Sequence, residues 1–344
     1  ITGCMIDSAC LMLKAGMPLH KVQENFIGYR LLKHMDIELN LKGKLVFILA
    51  KRNRGTSIRT LASETGVSIQ SLKKFVPALS ASKLKSVKCK YMYGYKAYSS
   101  LLYRLSLTTG SETQLNIKFF TFKVGSCWTE VPGGYLYFTG GKDTNSVWSL
   151  ASTREFAAIE RPDMHKVRNW HGTTYYAGFV YAIGGYFDYN NRKECERYDC
   201  HEELWEPLPD LPKPCHKTSI VVLESTSSLY TIGGEFFLGF ATKFLCNVQA
   251  LSLMDLKWSV LSVSLPYTES FIPSFKSSES SLYFISERQL YRLDPTACSL
   301  TKVCRVVHKE FSDCCQTYYV GERLFYSSDE NGLRSLKLEN EGFF

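Results

Sequence analysis

The sequence predicts a mainly β chain of radially repeated four-stranded units, preceded by a small α-helical region, on three observations. Three aromatic-rich runs end in a double glycine: Leu136-Tyr137-Phe138-Thr139-Gly140-Gly141, Val180-Tyr181-Ala182-Ile183-Gly184-Gly185 and Leu229-Tyr230-Thr231-Ile232-Gly233-Gly234. Their first residues lie 44 and 49 positions apart, a period that belongs to blades set around an axis rather than to helical solenoids. Apolar residues at mixed spacings of three and four occur before residue 85, and little helix signal follows residue 90.

Two weaker copies continue the series. Leu282 to Glu287 and Leu324 to Ser328 keep the β-run without the glycine pair, at further spacings of 53 and 42. Glycine suits the end of such a strand because the chain leaves through positive φ, or packs its backbone close to a neighbour, at no steric cost. Its loss in two units implies local strain or a different turn. Tyr98 to Leu107 and Gln114 to Phe122 read as the third and fourth strands of an opening unit, and the last unit stops at Leu338 without a fourth strand. A ring must close to remove its exposed sheet edges, so N-terminal strands are expected to complete the terminal blade. The expectation is a β-propeller of about six blades over 91–344, with five as the alternative if the early strands supplement the last unit.

Within a unit, a variable loop follows the glycine pair. A strand such as Cys195 to Asp199 comes next, then a short polar turn and a last strand opened by an aromatic, Leu204 to Leu208. Tyr198 and Trp205 stand 7 apart, as do Leu251 with Trp258 and Ser149 with Phe156. This arrangement resembles the kelch repeat, whose marks are a hydrophobic residue before Gly-Gly, a Tyr on the third strand and a Trp on the fourth. The resemblance runs from Tyr91 to Phe344 and implies a propeller fold. As propellers host unrelated functions, it leaves function to be argued from sites.

Of 344 residues, 45% are hydrophobic and 14% aromatic, enough for a large core, and the length is that of about two domains. The chain opens at Ile1 without Met, which reads as a fragment or an incomplete gene product. Charge is uneven. The first 90 residues hold 16 basic and 5 acidic side chains of the 41 and 33 in the whole, a net of +11 that leaves the remainder at −3. Such asymmetry hints at contact of residues 1–90 with nucleic acid or an acidic surface, although a solvated basic helical face explains it as well. The twelve cysteines include no Cys-x-x-Cys pair and form no short framework, which fits reduced thiols in a cytoplasmic, or also nuclear, protein. Cys195, Cys200, His201, Cys215 and His216 lack zinc-site spacing. No apolar run approaches bilayer length, the longest being Leu45 to Ala50. No metal, cofactor or membrane contact is therefore expected.

Residues 1–85 are expected to form a small basic helical region, from Met5 to Ala15, Lys21 to Met35 and Lys42 to Lys51. Within it, Thr56 to Val76 resembles a helix-turn-helix. Thr56 or Ser57 caps the first helix, Ala62 lets the helices cross, Gly66 permits the turn and Ser68 caps the second helix. Gln70, Ser71, Lys73 and Lys74 would then face a groove and its phosphates, with Arg52 and Arg54 nearby. Helices beside a kelch ring also resemble the BTB/kelch adaptors of ubiquitin ligases, although no BTB portion is recognisable in 1–85.

The loops after two glycine pairs carry the candidate site. Tyr186-Phe187-Asp188-Tyr189-Asn190-Asn191-Arg192 and Glu235-Phe236-Phe237-Leu238-Gly239-Phe240 are unusually aromatic for turns, which favour Gly, Asn, Asp and Ser. These rings either pack across the blade top or form an interface, and aromatics and Arg are the types enriched at interaction hot spots. Tyr186, Tyr189, Arg192, Phe236 and Phe237 are the expected partner-binding residues. His171 and His216, in Asn-Trp-His-Gly-Thr and Pro-Cys-His-Lys-Thr, recur near the first strand of successive units and read as structural hydrogen-bonding groups. Oxidases with kelch-type blades need a copper site of Tyr and His with a Cys-Tyr crosslink, and the seven His here show no such set. Without a phosphate loop, a His-Glu-x-x-His helix or a nucleophile elbow, no catalytic residue is assigned. The expected function is a non-enzymatic protein-protein interaction scaffold, with a ubiquitin-ligase adaptor or a DNA-binding regulator as alternatives.

Overall fold

The computed structural model describes residues 91–306 apart from 108, 132–133, 152–155, 224, 240, 267–270 and 277–280, together with the backbone of three strands within 314–337. The helical region and helix-turn-helix expected over 1–85 lie outside the described residues.

The described chain is all β. Strands β1 (Tyr91–Tyr95), β2 (Leu101–Ser106) and β3 (Glu112–Asn116) form one antiparallel sheet, and β4 (Cys127–Val131), β5 (Tyr135–Thr139), β6 (Val147–Ala151) and β7 (Ala158–Arg161) form the next. The third sheet joins β8 (Gly172–Tyr176) and β9 (Phe179–Ile183) to β12 (Cys195–Asp199) and β13 (Leu204–Leu208), with the hairpin β10 (Tyr186–Phe187) and β11 (Asn190–Asn191) between them. The fourth repeats that plan: β14 (Ser219–Leu223), β15 (Ser228–Ile232), the hairpin β16 (Glu235–Leu238) and β17 (Ala241–Phe244), then β18 (Asn247–Ser252) and β19 (Lys257–Ser264). A fifth sheet holds β20 (Ser274–Lys276), β21 (Leu282–Ser286), β22 (Gln289–Asp294) and β23 (Ser299–Arg305), and a sixth holds β24 (Cys314–Val320), β25 (Arg323–Ser328) and β26 (Gly332–Lys337).

The strands β4, β8, β14, β20 and β24 neighbour one another in turn, and β24 returns to β4. The propeller thus has five blades with an inner strand. The count is five rather than the expected six, because the sheet β1–β3 supplies no inner strand. That sheet keeps its own ladder rather than completing the terminal one, lying along β25 and β26 and packing its other face on β4–β7. There Tyr93, Tyr95, Phe122, Trp128 and Phe138 interlock, with ring centres 4.9 to 6.3 Å apart, and the Tyr95 hydroxyl donates to Ser126 O at 2.7 Å. Offset and edge-on ring pairs of this kind add to the gain from burial.

The repeat marks have structural reasons. Tyr198 sits directly opposite Trp205 and Leu251 opposite Trp258. Each Trp indole donates at 2.8 Å to the carbonyl of a proline just past the preceding blade, Pro162 for Trp205 and Pro209 for Trp258. Ser149 departs from the expected pairing: it faces Ile159, while Phe156 precedes β7 and turns into the core between the first two sheets. The glycine pairs all have positive φ, from 60° to 122°. A Cβ on Gly140 would come within 2.3 Å of Arg168 O, and one on Gly184 within 2.5 Å of Cys215 O. Both reasons for glycine hold, and the close neighbour is the backbone that leads into the next blade. In the blade β20–β23, which lacks a glycine pair, the two-residue turn Glu287-Arg288 runs straight into β22, with φ of 44° and 59°.

Candidate interaction face

The loops between second and third strands and the connections between blades meet on one face, and backbone bonds fix this. Lys142 N–H donates to Val124 O at 2.8 Å; Tyr186 and Asn169 exchange two bonds of 3.0 Å, and Glu235 and His216 two of 2.9 Å. Further bonds run from blade to blade, Trp170 N–H to Gly125 O at 2.8 Å and Lys217 N–H to Trp170 O at 2.7 Å. Gly125, Trp170 and Lys217 share a left-handed backbone, with φ of 67°, 49° and 51°.

On this frame the two aromatic loops are not irregular turns but short hairpins. The first turns at Asp188 and Tyr189, both at positive φ, and the second passes through Gly239. Asn191 couples them: its Nδ2 donates to Phe237 O at 2.8 Å and its Oδ1 accepts the Phe237 N–H at 2.9 Å. Behind that link, the Tyr186 ring lies 5.0 Å from Phe237, 5.2 Å from His216 and 6.2 Å from Trp170. Phe237 and His216 are stacked at 5.0 Å. Lys217 Nζ stands 5.3 Å from the Trp170 ring centre and 2.8 Å from Glu235 Oε1.

The five expected residues therefore part company. Tyr186 and Phe237 are half-buried and pack on each other, so the loops themselves absorb these rings. Phe236 is half-buried on β16. Arg192 is half-buried too, its guanidinium 5.5 Å from the Phe187 ring centre and Nη1 3.4 Å from Glu194 Oε1. Tyr189, at the first hairpin's tip, is 88% exposed. Sequence reasoning missed three contributors: Trp170 beneath the loops, and Leu238 and Phe244, both exposed on the second hairpin. Leu238 was legible as the last apolar residue before Gly239; Trp170 lies 16 positions before Tyr186 and carries no turn signal.

His171 and His216 are not equivalent, which corrects the recurrence read from the sequence. The bridges that pair Asn169 with Tyr186 and His216 with Glu235 align His216 with Asn169, two residues before His171. His171 is buried, with Nε2 2.8 Å from Thr139 Oγ1, and burial together with the nearby Arg168 cation holds its pKa well below 6.5. His216 Nε2 lies 3.2 Å from Glu235 Oε1 without the alignment of a hydrogen bond. Burial pushes the Glu235 carboxyl up, but His216 and Lys217 outweigh it and hold the pKa at about 2.

Inside the blade β8–β13, buried Arg168 donates to Gly184 O and Glu194 O, each at 2.7 Å, and to Glu196 Oε1 at 2.6 Å. Breaking a buried pair of this kind by removing one partner costs about 3 to 5 kcal/mol, so this charge serves the blade. Cys195 and Cys215 are buried thiols, pushed up to about 12 chiefly by burial. Among the described residues, no group of three or more His, Cys, Asp or Glu side chains is placed to hold a metal ion. Nor is any helix among them long and apolar enough to cross a membrane.

The Kelch motif family model matches residues 171–212, the blade from β8 to β13 that carries the first aromatic hairpin. Kelch-like protein 35 of Mus musculus is 26% identical over 163 residues, covering 46% of this chain and 27% of that protein. Kelch-like protein 23 is 29% identical over 143 residues in Mus musculus (40% of this chain, 25% of that protein) and 30% over 108 residues in Homo sapiens (30% and 19%). The chain thus spans roughly a fifth to a quarter of the length of the curated relatives that it matches.

Proposed function

Because the described residues form a kelch-repeat β-propeller, we propose that the chain is a non-enzymatic protein-protein interaction module whose partner docks on the hairpin face. One observation carries the reading: Asn191 locks the two aromatic hairpins together, which leaves Tyr189 and Leu238 exposed, at 88% and 65%, on a preorganised support. Exposed apolar side chains on backbone that is already ordered give up little entropy on docking. Tyr186 and Phe237 pack on each other behind them and Arg192 lies against Phe187, so the expected site divides into exposed tips and supporting rings.

The test is capture of proteins from nuclease-treated native lysate by the tagged chain, with Tyr189→Ala/Leu238→Ala alongside. Retained proteins should fall about tenfold in the double variant, the range of a lost hot spot, with an unchanged melting temperature. Equal retention would sink the hairpin face as the contact. Release of the proteins by nuclease alone would move the function to nucleic acid.

A finer reading, substrate adaptor of a BTB/kelch-type ubiquitin ligase, is favoured by the similarity to Kelch-like proteins. It requires a cullin among the captured proteins, and a cullin-free capture would remove it while leaving the scaffold reading intact.

A further inference from the structure

The same face has a second sector, between the sheet β1–β3 and the blade β4–β7, that differs in chemistry from the aromatic hairpins. Three separate stretches meet there. Tyr98 N–H donates to Phe122 O at 2.8 Å, Phe122 N–H to Ser99 O at 2.9 Å and Ile117 N–H to Ser100 O at 2.8 Å, tying the β1–β2 loop to the β3–β4 connection. Lys142 N–H then binds Val124 O at 2.8 Å, which brings in the β5–β6 loop. A cleft of about 490 Å³ opens between them, lined by Tyr98, Lys123, Lys142, Asp143 and Thr144.

Two features mark this cleft. The first is charge. Lys96, Lys118, Lys123 and Lys142 are all exposed on these three stretches, where Asp143 is the one acidic residue. That is a local excess of cations on a body whose net charge from residue 91 onward is −3. The second is the pair of rings held out beside it. Tyr98 is 67% exposed and Phe119 fully exposed, each on a left-handed backbone with φ of 56° and 58°.

We infer that this cleft receives an acidic peptide segment of the partner, its carboxylates meeting Lys123 and Lys142 and an apolar side chain meeting Tyr98. The inference rests on the scaffold reading and gives its partner a chemistry. Complementary charge of this kind contributes orientation and encounter rate more than raw affinity, so the aromatic hairpins remain the main anchor. Basic residues beside exposed rings also suit single-stranded nucleic acid, but this patch is a local concentration of cations on a body of net −3 from residue 91 onward, which favours a short acidic segment.

The experiment is fluorescence anisotropy on the full chain with a labelled peptide of alternating Glu-Glu-Tyr, and with labelled oligothymidine in parallel. Lys123→Glu/Lys142→Glu tests the cleft, and Lys302→Glu, on the outer strand β23 of another blade, is the control. The peptide should bind wild type and control alike, with Kd raised at least tenfold in the double variant and binding weakened by salt. Tighter binding of oligothymidine that Lys123→Glu/Lys142→Glu weakens, no binding of the peptide, or equal peptide binding by the double variant would each overturn the inference. The hairpin variant Tyr189→Ala/Leu238→Ala, which should still bind the peptide, separates failure here from failure of the scaffold reading.

Discussion

Gly184 does two things that no other residue can combine. Its backbone has φ of 63°, and a Cβ there would stand 2.5 Å from Cys215 O, a main-chain atom that cannot swing aside. Gly184→Ala should therefore cost at least about 2 kcal/mol, conformational strain plus overlap, read as a fall in the denaturant midpoint. Titrating residues set a second expectation. His171 is buried neutral with its pKa well below 6.5, whereas the unfolded chain takes up a proton near 6.5. Stability from this source is complete above pH 6.5 and declines as pH falls through that value. Glu235 acts lower down: its carboxyl titrates at about 2 when folded against a reference of 4.5, so its contribution is complete above 4.5 and lost as pH falls toward 2. Thermal melts of wild type should worsen from pH 6.5 downward. His171→Gln should flatten the upper part of that decline and Glu235→Gln the lower part.

At the scale of the element, the turn Glu287-Arg288 is the weak copy of the repeat. Both residues sit at positive φ in a two-residue hairpin that favours Asn-Gly. Arg288→Gly should stabilise the chain by about 1 kcal/mol, measurable as a raised midpoint in urea; no gain would mean that the Arg288 side chain compensates for the strain. The strands β12 and β13 were legible to the residue, because Tyr198 and Trp205 announce a directly opposed pair across a short polar turn. Other elements were not. β1 follows the basic stretch Lys83 to Lys90 and has Gly94 inside it, so alternation alone gave no start. The aromatic loops were legible as unusual, but Asn191 decides which rings turn inward, through a contact 46 positions away with Phe237. The lysine cleft was least legible of all, since Tyr98, Lys123 and Lys142 come from three stretches that only tertiary bonds bring together.

For the molecule as a whole, the two proposed binding sectors occupy different sheets, the lysine cleft on β1–β7 and the aromatic hairpins on β8–β19. Their variants should act independently, as changes at sites without shared partners do. Both sectors rest on the same support, the inter-blade bonds that pass through Gly125, Trp170 and Lys217. Three side chains as unlike as a hydrogen, an indole and an ammonium-tipped stem occupy one conformational slot there, each on a left-handed backbone. The main-chain bonds recur from blade to blade, and the exposed tips Tyr189 and Leu238 lie outside them, so those tips can change without disturbing the fold. A surface built in this way is open to rapid evolutionary exchange of specificity: a new partner requires only new side chains, and the ring beneath has no need to change.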